Sequence, residues 1–309
     1  MTPEDDALIE TSLLAAREAA ALQREMQGAI DPAEAVDKGW RDFVTVVDRE
    51  SARLIVDRVR ARFPRHAVLA EDDPREMSDA GGSDERMLWV IDPLDGTTNW
   101  LHGYPSWGVS IATVDARGLR TAVVVNGANG EEFTARRGGG ARRDGEPIRV
   151  SAVSDPGLAL LGTGFPFKRR EMIPRYLAVL GRMLEASSGV RRAGAAALDL
   201  CDVACGRLDG FWEHWLMPWD VAAGALIVQE AGGNFSALPS AEDAVGNPLG
   251  DPPLDEAIRG GDRIIRAFAG ETELDREIGL DRKTGGGFLA GNGRLEPWLR
   301  EVWSEAARS

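Results

Sequence analysis

Residues 89–100 read WVIDPLDGTTNW. Two carboxylates, Asp92 and Asp95, stand three residues apart with Pro93 between them, after an apolar run (87–91) and before Gly-Thr-Thr-Asn. The apolar run has the length and composition of a buried strand. Proline cannot continue a sheet ladder, so a turn is predicted at Pro93, and Asp95-Gly96-Thr97 supplies the small and capping residues that open a helix. Carboxylates held this closely repel unless a positive charge lies between them, whereas the N–H groups of a helix start attract anions. A divalent cation with a phosphate satisfies both. Taken alone, an Asp-x-x-Asp is more simply a turn and an N-cap, because turn aspartates are common.

Three further acids occupy comparable positions. Glu71 follows the short apolar segment VLA, Asp48 lies with Thr45 at a helix start in DFVTVVDRE, and Asp220 opens a helix in MPWDVAAG. Element ends allow residues distant in sequence to be aimed at one point, and oxygen ligands of this type suit a hard cation such as Mg2+. Softer metals fit poorly. His66, His102 and His214 are in no ligand spacing, and Cys201 and Cys205, four apart in a helical pattern, read as small core residues in a reducing cytosol.

The elements that must carry these residues are legible in outline. Helical patterns run to about residue 28 and over 48–62, with short strands at 67–70 and 87–91. The N-terminal pattern places Ile9, Leu13, Leu14 and Ala20 on one face. Strand-like segments at 109–114, 121–126 and 132–135 precede the turn signals Gly138-Gly139-Gly140 and Asp144-Gly145, with the basic pairs Arg136-Arg137 and Arg142-Arg143 on a solvated hairpin. A second half begins with a strand at 158–164, followed by helices over 176–186 and 195–206, the strand GFWEHW, and a helix over 221–231 closed by Gly232-Gly233. A strand at 288–291 and an amphipathic helix with Leu295, Leu299 and Trp303 complete the pattern. The expected division is 1–152, carrying Asp48, Glu71 and the paired aspartates, and 153–309, carrying Glu213 and Asp220, with a surface insertion at about 237–287.

With 309 residues, 43% of them hydrophobic, the chain can bury a large core. A formal charge of −14 disfavours nucleic acid and anionic membranes as partners. The acidic N-terminus is unlike a signal peptide and no window approaches a membrane span, so a cytoplasmic protein is expected.

Glu71-Asp72, DPLDGTTN (92–99), TARRGGGA (134–141), TGFPF (163–167), GAAALDL (194–200) and WDVAAG (219–224) with Gly232-Gly233 occur in an order and spacing that closely resembles the inositol monophosphatase family of magnesium-dependent, lithium-sensitive phosphatases. The resemblance implies an α/β (α+β) fold, a layered αβαβα sandwich shared with fructose-1,6-bisphosphatase, commonly assembled as a homodimer. It implies two or three Mg2+ per site: Glu71, Asp92 and the Leu94 carbonyl around one, and Asp92, Asp95 and Asp220 around a second. It further implies that Glu71, Thr97 and Asp48 serve catalysis, with the Asp48 carboxylate orienting the Thr97 hydroxyl toward an attacking water, and that Gly96 and Thr97 hold phosphate oxygens. Asp95, the backbone at Ala196 and Glu213 match positions that meet inositol hydroxyls. The implied activity is hydrolysis of myo-inositol monophosphates or related sugar phosphates, a small phosphate ester being the partner. Thr98-Asn99 favours this branch over histidinol-phosphate and phosphoadenosine-phosphate relatives. Alternatives are fructose 1,6-bisphosphatase or histidinol-phosphate phosphatase and, in another class, a regulatory binding protein retaining the fold. Two departures stand out: Asp72 where the family often has Glu, and an insertion at 237–287 longer than the usual connection.

Overall fold

The structure is a computed structural model and describes residues 2–27, 36–39, 42–44, 46–71, 87–167, 170–238 and 286–308. The expected insertion, apart from its two ends, lies outside these residues, as do Thr45 and Asp72.

The chain opens with α1 (Pro3–Met26), for good local reasons: Thr2 caps the helix by accepting from the Asp5 N–H at 3.2 Å, and Glu4, Asp5 and Asp6 face the positive end of the helix dipole. Its buried stripe is Leu8, Thr11, Ser12, Ala15, Ala16, Ala19, Ala20 and Gln23. This corrects the expected face, because Leu14 is 50% exposed. The small residues decide the orientation, since they let α1 lie close against α2 (Val46–Arg62). A short antiparallel pair, β1 (Val36–Gly39) and β2 (Asp42–Val44), joins the two helices.

A seven-stranded sheet follows, ordered β3 (Ala67–Ala70), β4 (Leu88–Asp95), β5 (Gly108–Asp115), β6 (Gly118–Asn126), β7 (Glu132–Arg136), β8 (Gly140–Arg143) and β9 (Glu146–Pro147). Only the β3–β4 pair is parallel. Side chains alternate across it: Trp89, Ile91, Val109, Ile111, Val123 and Val125 pack under α1 and α2, while Leu88, Val90, Ala112 and Val124 point to the opposite face. That opposite face is covered by α5 (Ala196–Ala204) and α6 (Pro218–Glu230). These two helices are apolar nearly all round because a second sheet covers their other side. It is five-stranded, in the order β11 (Gly189–Arg191), β10 (Leu160–Thr163), β12 (Gly210–Leu216), β14 (Gly286–Asn292), β13 (Gly233–Ala237). Its far face holds α4 (Ile173–Ala186) and α7 (Glu296–Arg308) over Leu161, Trp212 and Leu289. The layers are therefore helix, sheet, helix, sheet, helix. Among the described residues no helix is long and apolar enough to cross a membrane, and Cys201 and Cys205 are free thiols.

One expectation at the centre of the fold is corrected. The chain does not leave the sheet at Pro93; β4 continues through Asp95, with a shift of register against β5 between Asp92 and Asp95. The β3 pairing ends at Ala70 opposite Ile91, so the missing N–H of Pro93 breaks no ladder bond on that side. The five-residue α3 (Thr97–Leu101) begins directly after.

Candidate active site

The site is built where the C-terminal ends of β3 and β4 meet the N-terminal ends of α2, α3, α5 and α6. Glu71 follows β3, its backbone N–H donating to the Ile91 carbonyl at 3.0 Å, which places it beside the end of β4. Asp92 is 2% exposed and its Oδ1 accepts the Leu94 N–H at 3.0 Å. Asp220, in the first turn of α6, accepts the Met217 N–H at 2.6 Å, a reciprocal cap that fixes its rotamer. Glu71, Asp92 and Asp220 each offer a carboxylate oxygen, and these oxygens lie within 4.8 Å of one another. Burial, and then the facing charges of Glu71, Asp95 and Asp220, push the Asp92 carboxyl well above the usual carboxylate range. A divalent cation relieves that repulsion, and a set of three converging carboxylates without nitrogen or sulfur matches Mg2+ in donor type. The residues present fit the ion.

Beside the acids lies a polar pair. The Thr97 hydroxyl is 2.9 Å from Asp48 Oδ1 and 3.0 Å from the Leu94 carbonyl, so its single proton points to an acceptor and a lone pair stays available to a water. Asp48 is 3% exposed in the first turn of α2. Gly96 precedes α3 with φ +88°, and a Cβ there would lie 2.8 Å from the Ser106 carbonyl oxygen. Only glycine meets both conditions, and it opens α3, whose first amides lack intrahelical acceptors.

Asp95 is placed differently from its neighbours. Its Oδ2 accepts the Ala197 N–H at 2.7 Å, at the start of α5. Burial raises its pKa to about 7, with the Glu71 charge adding to the rise and the α5 amides and Arg192 opposing it. Asp95 therefore ties the acid cluster to α5, and Ala196 begins that helix. Glu213, on β12, packs its carboxylate over Gly164, where a Cβ would come within 1.8 Å of Glu213 Cδ.

Of the residues expected from sequence, Glu71, Asp92 and Asp220 converge as one group. Thr97 and Asp48 form a hydrogen-bonded pair, and Asp95 with Ala196 lies at the α5 junction. Leu94 contributes a carbonyl that the Thr97 hydroxyl meets. Two further residues belong here. Asp199, one turn into α5, is 2% exposed, and burial together with the Glu213 and Asp95 charges pushes its carboxyl well above the usual range. Arg192 is the cation felt by Asp95 and Asp199, its guanidinium 5.2 and 5.0 Å from the Phe165 and Phe167 rings. An acid inside the apolar run of GAAALDL and a basic pair before Gly194 were the available signals.

The sequence model described as the inositol monophosphatase family matches residues 4–250. The Nus factor SuhB of Pseudomonas aeruginosa is 45% identical over 231 residues, covering 74% of this chain and 84% of that protein. Among solved structures, the extragenic suppressor protein suhB of Bartonella henselae superposes with a TM-score of 0.76 at 32% identity, covering 96% of this chain and 98% of that one. The inositol monophosphatase of Anabaena (Nostoc) sp. does so with a TM-score of 0.72 at 31% identity, covering 97% and 96%.

Proposed function

The chain belongs to the inositol monophosphatase family, and from that premise we propose that it is a Mg2+-dependent phosphomonoesterase hydrolysing myo-inositol monophosphates. The observation that carries this reading is the convergence of Glu71, Asp92 and Asp220 within 4.8 Å, next to the Thr97–Asp48 hydrogen bond. Glu71, Asp92 and the Leu94 carbonyl would hold one Mg2+, and Asp92, Asp95 and Asp220 another, with room in the reading for a third. Bound there, the ions supply charge neutralisation for the phosphoryl oxygens and acidify a water.

The protein's own groups do the rest. The Thr97 hydroxyl positions a water and accepts its proton while passing its own toward Asp48 Oδ1, so no covalent intermediate with the chain is needed. The Gly96 and Thr97 amides at the start of α3 hold phosphate oxygens. Asp95, the α5 backbone at Ala196 and Glu213 receive the hydroxyls of the alcohol part, a carboxylate being able to accept two such bonds. A homodimeric, lithium-sensitive cytoplasmic enzyme completes the proposal. A second reading, binding of a protein partner by the same fold, draws on the Nus-factor name of the related proteins.

The test is phosphate release from inositol monophosphates, fructose 1,6-bisphosphate, histidinol phosphate and phosphoadenosine phosphate, with and without Mg2+. Preferential, Mg2+-dependent turnover of the inositol esters is expected. Preference for another ester reassigns the substrate, and no release from any of them leaves the binding reading in its place.

A further inference from the structure

Gln23 is a polar side chain in the buried stripe of α1, fully shielded from solvent among alanines and a leucine. Its Nε2 donates to the Pro93 carbonyl at 2.6 Å and to Ser51 Oγ at 3.0 Å. The Pro93 carbonyl can only accept, so chemistry itself dictates which end of the amide faces it. The other end, Oε1, has no hydrogen-bond partner among the described residues. A buried amide left half satisfied costs stability, which argues that its donor end serves a purpose other than packing.

The three elements that Gln23 meets are those that build the site. Ser51 lies one turn along α2 from Asp48, and Pro93 separates Asp92 from Asp95. The Gln23 backbone carbonyl accepts the Trp100 indole N–H at 3.0 Å, from the helix that Thr97 begins. The Pro93–Leu94 peptide is the critical link. Its oxygen takes the 2.6 Å bond from Gln23, and its N–H gives the 3.0 Å bond to Asp92 Oδ1. Donation to the oxygen of a peptide polarises its N–H, so the two bonds strengthen one another. A chain of hydrogen bonds thus runs from the interior of α1 to the carboxylate shared between the proposed metal positions.

We propose that Gln23 is a positioning residue for the metal site: through the Pro93–Leu94 peptide it fixes the rotamer of Asp92 so that the carboxylate presents its remaining lone pairs to a divalent cation. The inference rests on the reading of Asp92 as a metal ligand. Outer partners of ligating carboxylates govern cation affinity in this way, and their loss weakens it by about 10- to 100-fold.

The experiment uses the full chain stripped with chelator, Gln23→Met as the length-matched variant without a donor, and Ser51→Ala as the variant that removes the other acceptor. Calorimetric titration with Mg2+ and with Mn2+ measures affinity directly, and melting in chelator measures the fold. The expected result is affinity about 10-fold weaker in Gln23→Met, unchanged in Ser51→Ala, with the chelated Gln23→Met still melting cooperatively, at a temperature lowered by the loss of the donor to the buried Pro93 carbonyl. Wild-type affinity in folded Gln23→Met overturns the inference while leaving the metal reading intact, and so does an equal loss in Ser51→Ala, which would assign the effect to helix packing. A wild type that takes up neither ion overturns both. Should Gln23→Met not fold, the wild-type Leu94 amide decides by NMR. Its resonance is expected far downfield and displaced by Mg2+; a Leu94 amide indifferent to the ion refutes the relay.

Discussion

Replacing Asp92 by Asn separates the metal from the fold. The side chain is 2% exposed and its Oδ1 accepts the Leu94 N–H. Burial and the facing charges of Glu71, Asp95 and Asp220 push its carboxyl well above the ordinary range, so its charged form is disfavoured in the absence of metal. An asparagine has the same shape, removes the disfavoured charge, and keeps an oxygen for Leu94. The metal-free variant is therefore expected within about 1.5 kcal/mol of wild type, the usual limit for a volume-conserving change. The metal-loaded proteins must differ. At a free Mg2+ of about 100 times Kd, each ion that binds only the folded form adds roughly 2.7 kcal/mol. For 309 residues an unfolding entropy near 2.1 cal/mol/K per residue gives about 650 cal/mol/K, so that increment raises Tm by about 4 °C per ion. Calorimetric melting in chelator and across a Mg2+ series measures both quantities. The wild type is expected to climb by about 4 °C for one ion and about 8 °C for two, and Asp92→Asn to stay near its chelated value. A variant that climbs as far as wild type refutes Asp92 as a ligand. A chelated variant already about 5 kcal/mol less stable, the loss typical of a broken buried network, refutes the argument that the uncompensated Asp92 charge is unfavourable without metal.

Thr97→Ala is expected to keep the Mg2+-dependent rise in Tm while kcat falls by about 100-fold or more, the range for losing a positioned proton acceptor; normal turnover would dismiss the Thr97–Asp48 pair. Glu213→Ala is expected to lower kcat/KM for inositol 1-phosphate by roughly 10- to 150-fold, equivalent to about 1.5 to 3 kcal/mol of charge-assisted hydrogen bonds. It should spare p-nitrophenyl phosphate, and parallel losses would make Glu213 structural. His214 provides the pH test: burial, and then the Arg175 charge, depress its pKa from 6.5 to about 3, so the unfolded chain binds a proton that the folded one refuses. Stability from this group is complete above pH 6.5 and drains as pH falls toward 3, by about 2 kcal/mol on reaching pH 5, at roughly 1.4 kcal/mol per unit. His214→Phe, which retains a ring against Trp303, is expected to lose that slope in denaturant titrations at several pH values; an unchanged slope would place the titrating group elsewhere.

Asp92, Glu71, Asp48 and Asp220 could be singled out from sequence as candidates that the fold brings together, because each is a charge at the margin of an apolar or helical run, a position visible one element at a time. The strand through Pro93 was hidden for the opposite reason. Whether a proline ends a strand depends on whether a neighbour requires its N–H, and the early end of β3 is a tertiary fact. The misjudged face of α1 has the same origin: hydrophobicity favours Leu13 and Leu14, but close approach to α2 favours Ala15, Ala16, Ala19 and Ala20. Gln23 is the hardest residue to find, since a glutamine on a helix reads as surface until the Pro93 carbonyl is placed beside it. Asp199 and Arg192 acquire meaning only once α5, β12 and the loop before α5 share a neighbourhood.

The order of the second sheet bears on how the protein is made. β14 lies between β12 and β13, antiparallel to both, although both are synthesised well before it. Until residues 286–292 leave the ribosome, β12 has only β10 beside it, and the stretch that bears Glu213 and leads into the α6 end with Asp220 lacks one flank. The first sheet has no such dependence, because β3 to β9 pair in the order in which they emerge. In order of synthesis, both strand partners of β4, which carries Asp92, are present once Asp115 has emerged, whereas β12, which carries Glu213 and ends at Leu216, waits for its second partner until β14 begins at Gly286.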